Sequence, residues 1–202
     1  MDKHAASELG RPERAVRPRE SAEPLRAPNS TVVEVRQPGA LLRAGLLAGA
    51  TAAVTLGIAE IAFTLMLGGT LADPFRRVSS VALGPAAFAP DFPLALVLLT
   101  GAAVHVGLSL IFGLIFVWLA ALAYQLSARA PLLLLYGVLF GLALWELNIL
   151  TVLPLVRPAV APQFGLADQI WNGIVAYAVF YGLVLGAYVA ITRPGVVGTW
   201  KR

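Results

Sequence analysis

Apolar residues run almost unbroken through four stretches of the chain: Ala44 to Leu67, Leu94 to Leu122, Pro131 to Leu153 and Ile170 to Ile191. A helix crossing the hydrocarbon core of a bilayer takes about 20 such residues, so each stretch is predicted to be one transmembrane helix. The first is too long and too far from the N-terminus for a cleaved signal peptide, and is expected to act as an uncleaved anchor. The predicted fold class is an all-α membrane protein. Its four transmembrane helices form an antiparallel bundle, with a short interfacial helix on the outer side.

That extra helix comes from the connection after the first span. In DPFRRVSSVALGP, Asp73 is a candidate N-cap, Pro74 suits the first helical position, and Gly84-Pro85 is a stop signal, which predicts a helix over about 74–83. Phe75, Val78, Ala82 and Leu83 are expected to face lipid or the bundle while Arg76, Arg77, Ser79 and Ser80 stay wet. The other outer connection, Pro154 to Asp168, shows no such period and reads as an extended cap.

Polar positions inside the spans are few and fall at similar depth. Glu60 lies seven residues before the outer end of the first span, His105 eleven residues inside the outer end of the second, and Glu146 and Asn148 seven and five residues from the outer end of the third. An ionisable group in hydrocarbon must pair, neutralise or meet water. Glu60, His105, Ser109, Glu146 and Asn148 are therefore expected to form one intramembrane polar cluster, with Arg76, Arg77, Arg157 and Asp168 around its outer mouth. Glu146 lies about 100° from Trp145 on a helical wheel, which leaves it free to face a different neighbour from Asn148.

Small residues accompany these groups at helical spacing. Gly101, His105, Ser109 and Gly113 make a stripe on the second span; Gly137, Gly141, Trp145 and Asn148 make one on the third; Gly49, Ala53, Gly57, Glu60 and Thr64 nearly make one on the first. Such stripes let helix backbones approach closely. The pairs Gly45/Gly49, Gly137/Gly141 and Gly182/Gly186 are read as packing faces that also serve self-association. LSLIFGLIF at 108–116 resembles YAVFYGLVL at 177–185, and the first and third spans share the Gly pair. The chain thus reads as two helix-loop-helix halves of the same orientation.

Composition agrees with lipid as the solvent: 58% of residues are hydrophobic and 13% charged. Residues 1–40 differ, with mixed Lys, Arg, Asp and Glu, many prolines and almost no aromatic residue, and are expected to be a disordered tail. Its interspersed acids argue against a nucleic-acid arm. Residues 41–193 form the membrane domain and 194–202 a short second tail. The tails, Arg43 and Arg129 fall on one side of the membrane, against only Arg76, Arg77 and Arg157 on the other. Both termini are therefore expected to be cytoplasmic in a bacterial inner membrane.

No cysteine is present, so disulfides, thiolate metal sites and cysteine nucleophiles are excluded. There is no GxSxG, P-loop or HExxH pattern, and an enzyme is not expected. His105 is the only histidine outside the tail. A two-His haem would need two copies of the chain, and a three-ligand zinc site would need both glutamates.

RVSSVALG at 77–84, HVGLS at 105–109 with Phe112-Gly113, and Gly137, Gly141, Trp145 and Asn148 followed by Pro154 resemble a family of small bacterial four-helix membrane proteins without established activity. Some of its members are labelled sodium:proline symporters. The resemblance covers Leu42 to Ile191. It implies a second histidine early in the fourth span, where this chain has Asn172 and Ile174. Four uninterrupted helices also lack the broken-helix inverted repeats of secondary transporters. The expected function is a non-enzymatic integral membrane component that assembles with itself or with a larger complex. The alternatives are a proton-coupled or cation-conducting oligomer using Glu60, His105 and Glu146, and a haem or metal site at His105.

Overall fold

The computed structural model describes residues 38–122, 129–152 and 169–192, with the single positions 155 and 167. The described residues are helical throughout apart from short turns, and four of the helices are long and apolar enough to cross a membrane. Helix α1 is Pro38–Met66, α2 Asp73–Leu83, α3 Leu94–Leu122 and α4 Ala130–Trp145. Most of the predicted 1–40 tail, the 194–202 tail and most of the 154–168 connection, including Arg157 and Asp168, lie outside the described residues. The first helix begins at Pro38, three residues inside the segment expected to be tail, with proline at a position where a missing N–H is harmless.

The third and fourth spans are not uniform α-helices. After Trp145 the third continues as a π-helix over Glu146–Val152, and the fourth runs as a π-helix from Gln169 to Leu183 before helix α5, Val184–Thr192. The third span therefore changes its hydrogen-bond register at the polar segment itself. Hydrogen bonds from i to i+5 in place of i to i+4 are rare, occur mostly as short interruptions of α-helices, and are often found at functional positions.

Packing divides the spans into two hairpins. Helix α1 lies along α3, and α4 lies along the fourth span; α1 and the fourth span then pack together as the inner pair. Helix α4 sits diagonally across from α1. Helices α3 and α4 meet mainly through large side chains, with Phe116 stacked on Tyr136 (ring centroids 5.4 Å apart) and close to Phe140 (5.2 Å). Leu41, Ala44, Ala48, Ala52 and Leu56 recur along one face of α1 and pack with Phe116, Val117, Leu133, Tyr181 and Leu185 to form the core.

The two hairpins use the same contact. Gly113 of α3 lies on the backbone of Gly45 and Gly49, and Gly182 lies on the backbone of Gly137 and Gly141. A Cβ at Gly49, Gly113, Gly137, Gly141 or Gly182 would collide with backbone, and one at Gly45 with both the side chain and the backbone of Leu114. Because lipid competes equally for apolar surface, such backbone-to-backbone packing is what favours helix association in a bilayer. The Gly pairs expected to serve self-association are thus occupied inside the chain: Gly186, for example, abuts Leu133 of α4.

Helix α1 ends in a turn that reverses the chain. Gly68 adopts φ 82°, the Gly68 N–H reaches the Leu65 carbonyl, and the Gly69 N–H reaches that of Thr64. This hydrogen-bond pair is the Schellman stop, which places glycine in the left-handed region. Helix α2 then starts at Asp73. Asp73 is not its N-cap: Ala72 holds that position, and the Asp73 carboxylate turns back to accept the Thr70 N–H at 2.6 Å. Gly84 ends α2 at φ 66°, as its position before Pro85 predicts, and a 3-10 turn follows over Gly84–Phe88.

Helix α2 does not expose the face expected to be wet. Ser79 and Ser80 are completely buried, because α2 packs along α3 closely enough for Gly101 to lie on the Phe75 backbone. Both hydroxyls donate back into their own helix, to Arg76 and Arg77 carbonyls, so their burial leaves no hydroxyl proton unmet. Val81 and Ala82 are the exposed residues instead.

Candidate functional site

The α3 stripe is the frame of the site, because its four members between them meet α2, α1 and the fourth span. Gly101 receives α2, His105 and Ser109 face α1 and the fourth span, and Gly113 receives α1. His105 Nε2 lies 2.9 Å from the Ala53 carbonyl oxygen. A carbonyl only accepts, so Nε2 carries the proton in that bond. The ring lies over Gly57, where an added Cβ would stand at ordinary contact distance, 3.4 Å from Nε2. The other ring nitrogen, Nδ1, faces Glu60 Oε2 at 3.8 Å. The two side chains are 17% and 14% exposed, for His105 and Glu60 respectively, so neither is sealed from the bundle surface.

The fourth span completes the arrangement with two tyrosines. Tyr177 packs against the core one turn before Tyr181. The two phenol rings stand 6.4 Å apart. Tyr181 is buried and donates to the Ser109 carbonyl at 2.8 Å. Thr55 of α1 donates to the Phe180 carbonyl at 2.6 Å. The result is a polar seam running between α1, α3 and the fourth span through Glu60, His105, Tyr177, Tyr181 and Ser109.

Sequence reasoning found three of these five. Tyr177 and Tyr181 were within reach, since they stand four residues apart in an apolar run and four and eight residues after Gly173. They are hydroxyls on aromatic rings, however, and in a membrane segment such rings read equally well as packing.

Glu146 and Asn148 do not join the seam. Glu146 is exposed on the flank of the third span, and Asn148 is half-buried in a segment whose main contact is with α4 itself. Among the described residues, no three His, Asp or Glu side chains come together as a metal-binding group, so Glu146 is not a third ligand beside Glu60 and His105. The fourth span lies between α4 and α1, and equal depth in the bilayer does not overcome that diagonal separation. Haem ligation through His105 Nε2 would require breaking the Ala53 bond. Trp145 points the other way from Glu146. Its indole lies over the Gly173 backbone, with Nε1 buried and without an acceptor among the described residues.

Arg76 and Arg77, expected at the mouth, are engaged in the structure of the α2 end. Arg76 donates to the Ala87 carbonyl at 2.7 Å and to Ala89 at 3.3 Å, fastening the 3-10 turn to α2. Arg77 donates to the Thr64 hydroxyl at 2.6 Å, tying α2 to α1 one turn beyond Glu60. Comparison with protein-family models, with curated proteins and with solved structures finds no match.

Proposed function

We propose that this chain is a small non-enzymatic component of the bacterial inner membrane, with both termini cytoplasmic, that assembles laterally with other membrane-embedded protein. The observation that carries this reading is Glu146. It lies roughly 24 Å from the Ala130 end of its span at 1.5 Å per residue, in the outer part of a hydrocarbon core of about 30 Å and two residues before the apolar span ends at Asn148. Its side chain is nonetheless exposed at the bundle surface. Carboxylates at such depth almost always face a protein or water-lined environment, so an exposed one supports a missing neighbour. The seam supports the non-enzymatic half of the reading, because His105 Nε2 and the Tyr181 hydroxyl are bonded to backbone carbonyls of adjacent helices, as groups holding a bundle together are.

Native mass spectrometry of membranes extracted directly into nanodiscs tests the assembly. The expected result is a species heavier than the 21.3 kDa chain plus lipid, which Glu146→Leu reduces to the monomer. A monomer in the unsubstituted protein would overturn the reading.

One observation favours a second reading, a proton- or cation-coupled path. With Nε2–H committed to Ala53, a neutral His105 presents its Nδ1 lone pair to Glu60, and a proton or small cation between the two would relieve that contact. Vesicles loaded with a pH-sensitive dye would then show flux that Glu60→Gln abolishes; identical traces for the two proteins would rule this reading out.

A further inference from the structure

We infer that the neighbour of the third span is a transmembrane helix carrying a Lys or Arg at the depth of Glu146; this rests on the assembly proposed above and specifies its chemistry. Helix α4 has two unlike faces. Gly137 and Gly141 are pressed against the fourth span. On the other side Leu132, Leu135, Leu139 and Ala143 are exposed, and the same three- and four-residue spacing leads directly to Glu146. This spacing puts all five residues on one face of the helix, which ends in a carboxylate.

The charge at the end of that face selects the occupant. A second copy in the same membrane orientation would bring Glu146 toward Glu146, and like charges in apolar surroundings repel. It would also bring no suitable base from its described residues. Arg43 and Arg129 sit near the end of the bundle opposite Glu146, while Arg76 and Arg77 at the α2 end are bonded to Ala87, Ala89 and Thr64. A different helix with a cationic side chain at the matching level supplies a counter-charge for Glu146, which lipid tails, equally able to cover the leucines, do not. The register change after Trp145 aids this placement, since the α-helical face ends on Trp145 turned inward over Gly173 and the next residue, Glu146, turns outward.

The test uses the full chain, donor-labelled on its N-terminal tail, in phosphatidylcholine vesicles with acceptor-labelled single-span Leu-Ala peptides. One peptide carries a Lys at the depth of Glu146 and the other a Leu there. Energy transfer is expected to show the Lys peptide binding about tenfold more tightly than the Leu peptide, equivalent to about 1.4 kcal/mol. Glu146→Gln, checked for unchanged helicity by circular dichroism, should erase that preference. Leu139→Trp, which leaves the carboxylate in place but reshapes the apolar seam, should weaken both peptides alike.

Equal binding of the two peptides, or a Lys preference that survives Glu146→Gln, would overturn the inference. So would Glu146-dependent energy transfer between copies of the chain alone, which would give the face to a second copy. A native complex without the Lys preference would remove the partner chemistry and leave assembly standing. A native monomer would remove assembly itself.

Discussion

Gly49 and Gly141 illustrate how much of this molecule is decided by single absent methyl groups. A Cβ at Gly49 would meet the Ser109 carbonyl, and one at Gly141 the Tyr177 carbonyl. Gly141→Ala should therefore destabilise the fold by about 1–3 kcal/mol, as overpacking does, and should do so in the monomer. Gly107→Ala, with nothing within 4 Å of its added Cβ, should be neutral or slightly stabilising. Steric trapping or reversible SDS unfolding in bicelles would separate the two, and equal stability would show that the hairpin contact is looser than described. Tyr181→Phe removes one buried hydrogen bond to Ser109 and should cost about 0.5–1.5 kcal/mol in the same assay. The stripes that hold Gly49, His105 and Ser109 were legible because a period of four residues survives any environment. The tyrosines were not, since nothing in an apolar run says which aromatic ring bears a hydroxyl for bonding and which merely fills space.

At the level of elements, α2 shows how a correct boundary can accompany a wrong face. Its range and its glycine stop follow from proline and glycine positions, whose backbone limits are local. Its orientation depends on how near α3 comes, and Gly101 allows a distance at which serines are the residues that fit between two backbones. Gly84 is the element's weakest point for substitution, with φ 66° and ψ −156° in a region nearly reserved for glycine. Gly84→Ala should cost about 1–3 kcal/mol and release the Arg76 tether on the 3-10 turn. Hydrogen exchange of the α2 amides would register this as faster exchange confined to α2 and the turn; unchanged protection would mean that α3 packing alone fixes the helix. The π-helical stretches had no such local marker, because Trp145, Glu146 and Asn148 are equally compatible with an α-helix.

For the whole molecule, two glycine-locked hairpins share one design and differ in what else they contain. His105 stands eight residues before Gly113, and Ile174 eight before Gly182, so the first hairpin carries the imidazole of the seam and the second an aliphatic residue. The cysteine-free chain makes its orientation directly measurable. Asp91→Cys, at the α2 end, should react with an impermeant maleimide added outside intact cells stripped of their outer membrane, while Arg129→Cys should react only after permeabilisation. The reverse pattern would invert the assignment of the termini. The apolar runs themselves determined the number and placement of the spans, since about 20 residues without water-seeking groups have few alternatives to a crossing helix. The small-residue stripes likewise marked the packing faces. Which helices became neighbours was settled only by tertiary packing. Depth along a helix follows from counting residues, but direction around the bundle depends on contacts between residues far apart in the chain. For this reason Glu60 and His105 meet, Tyr181 reaches Ser109, and Glu146, at a similar level on the diagonal helix, faces outward.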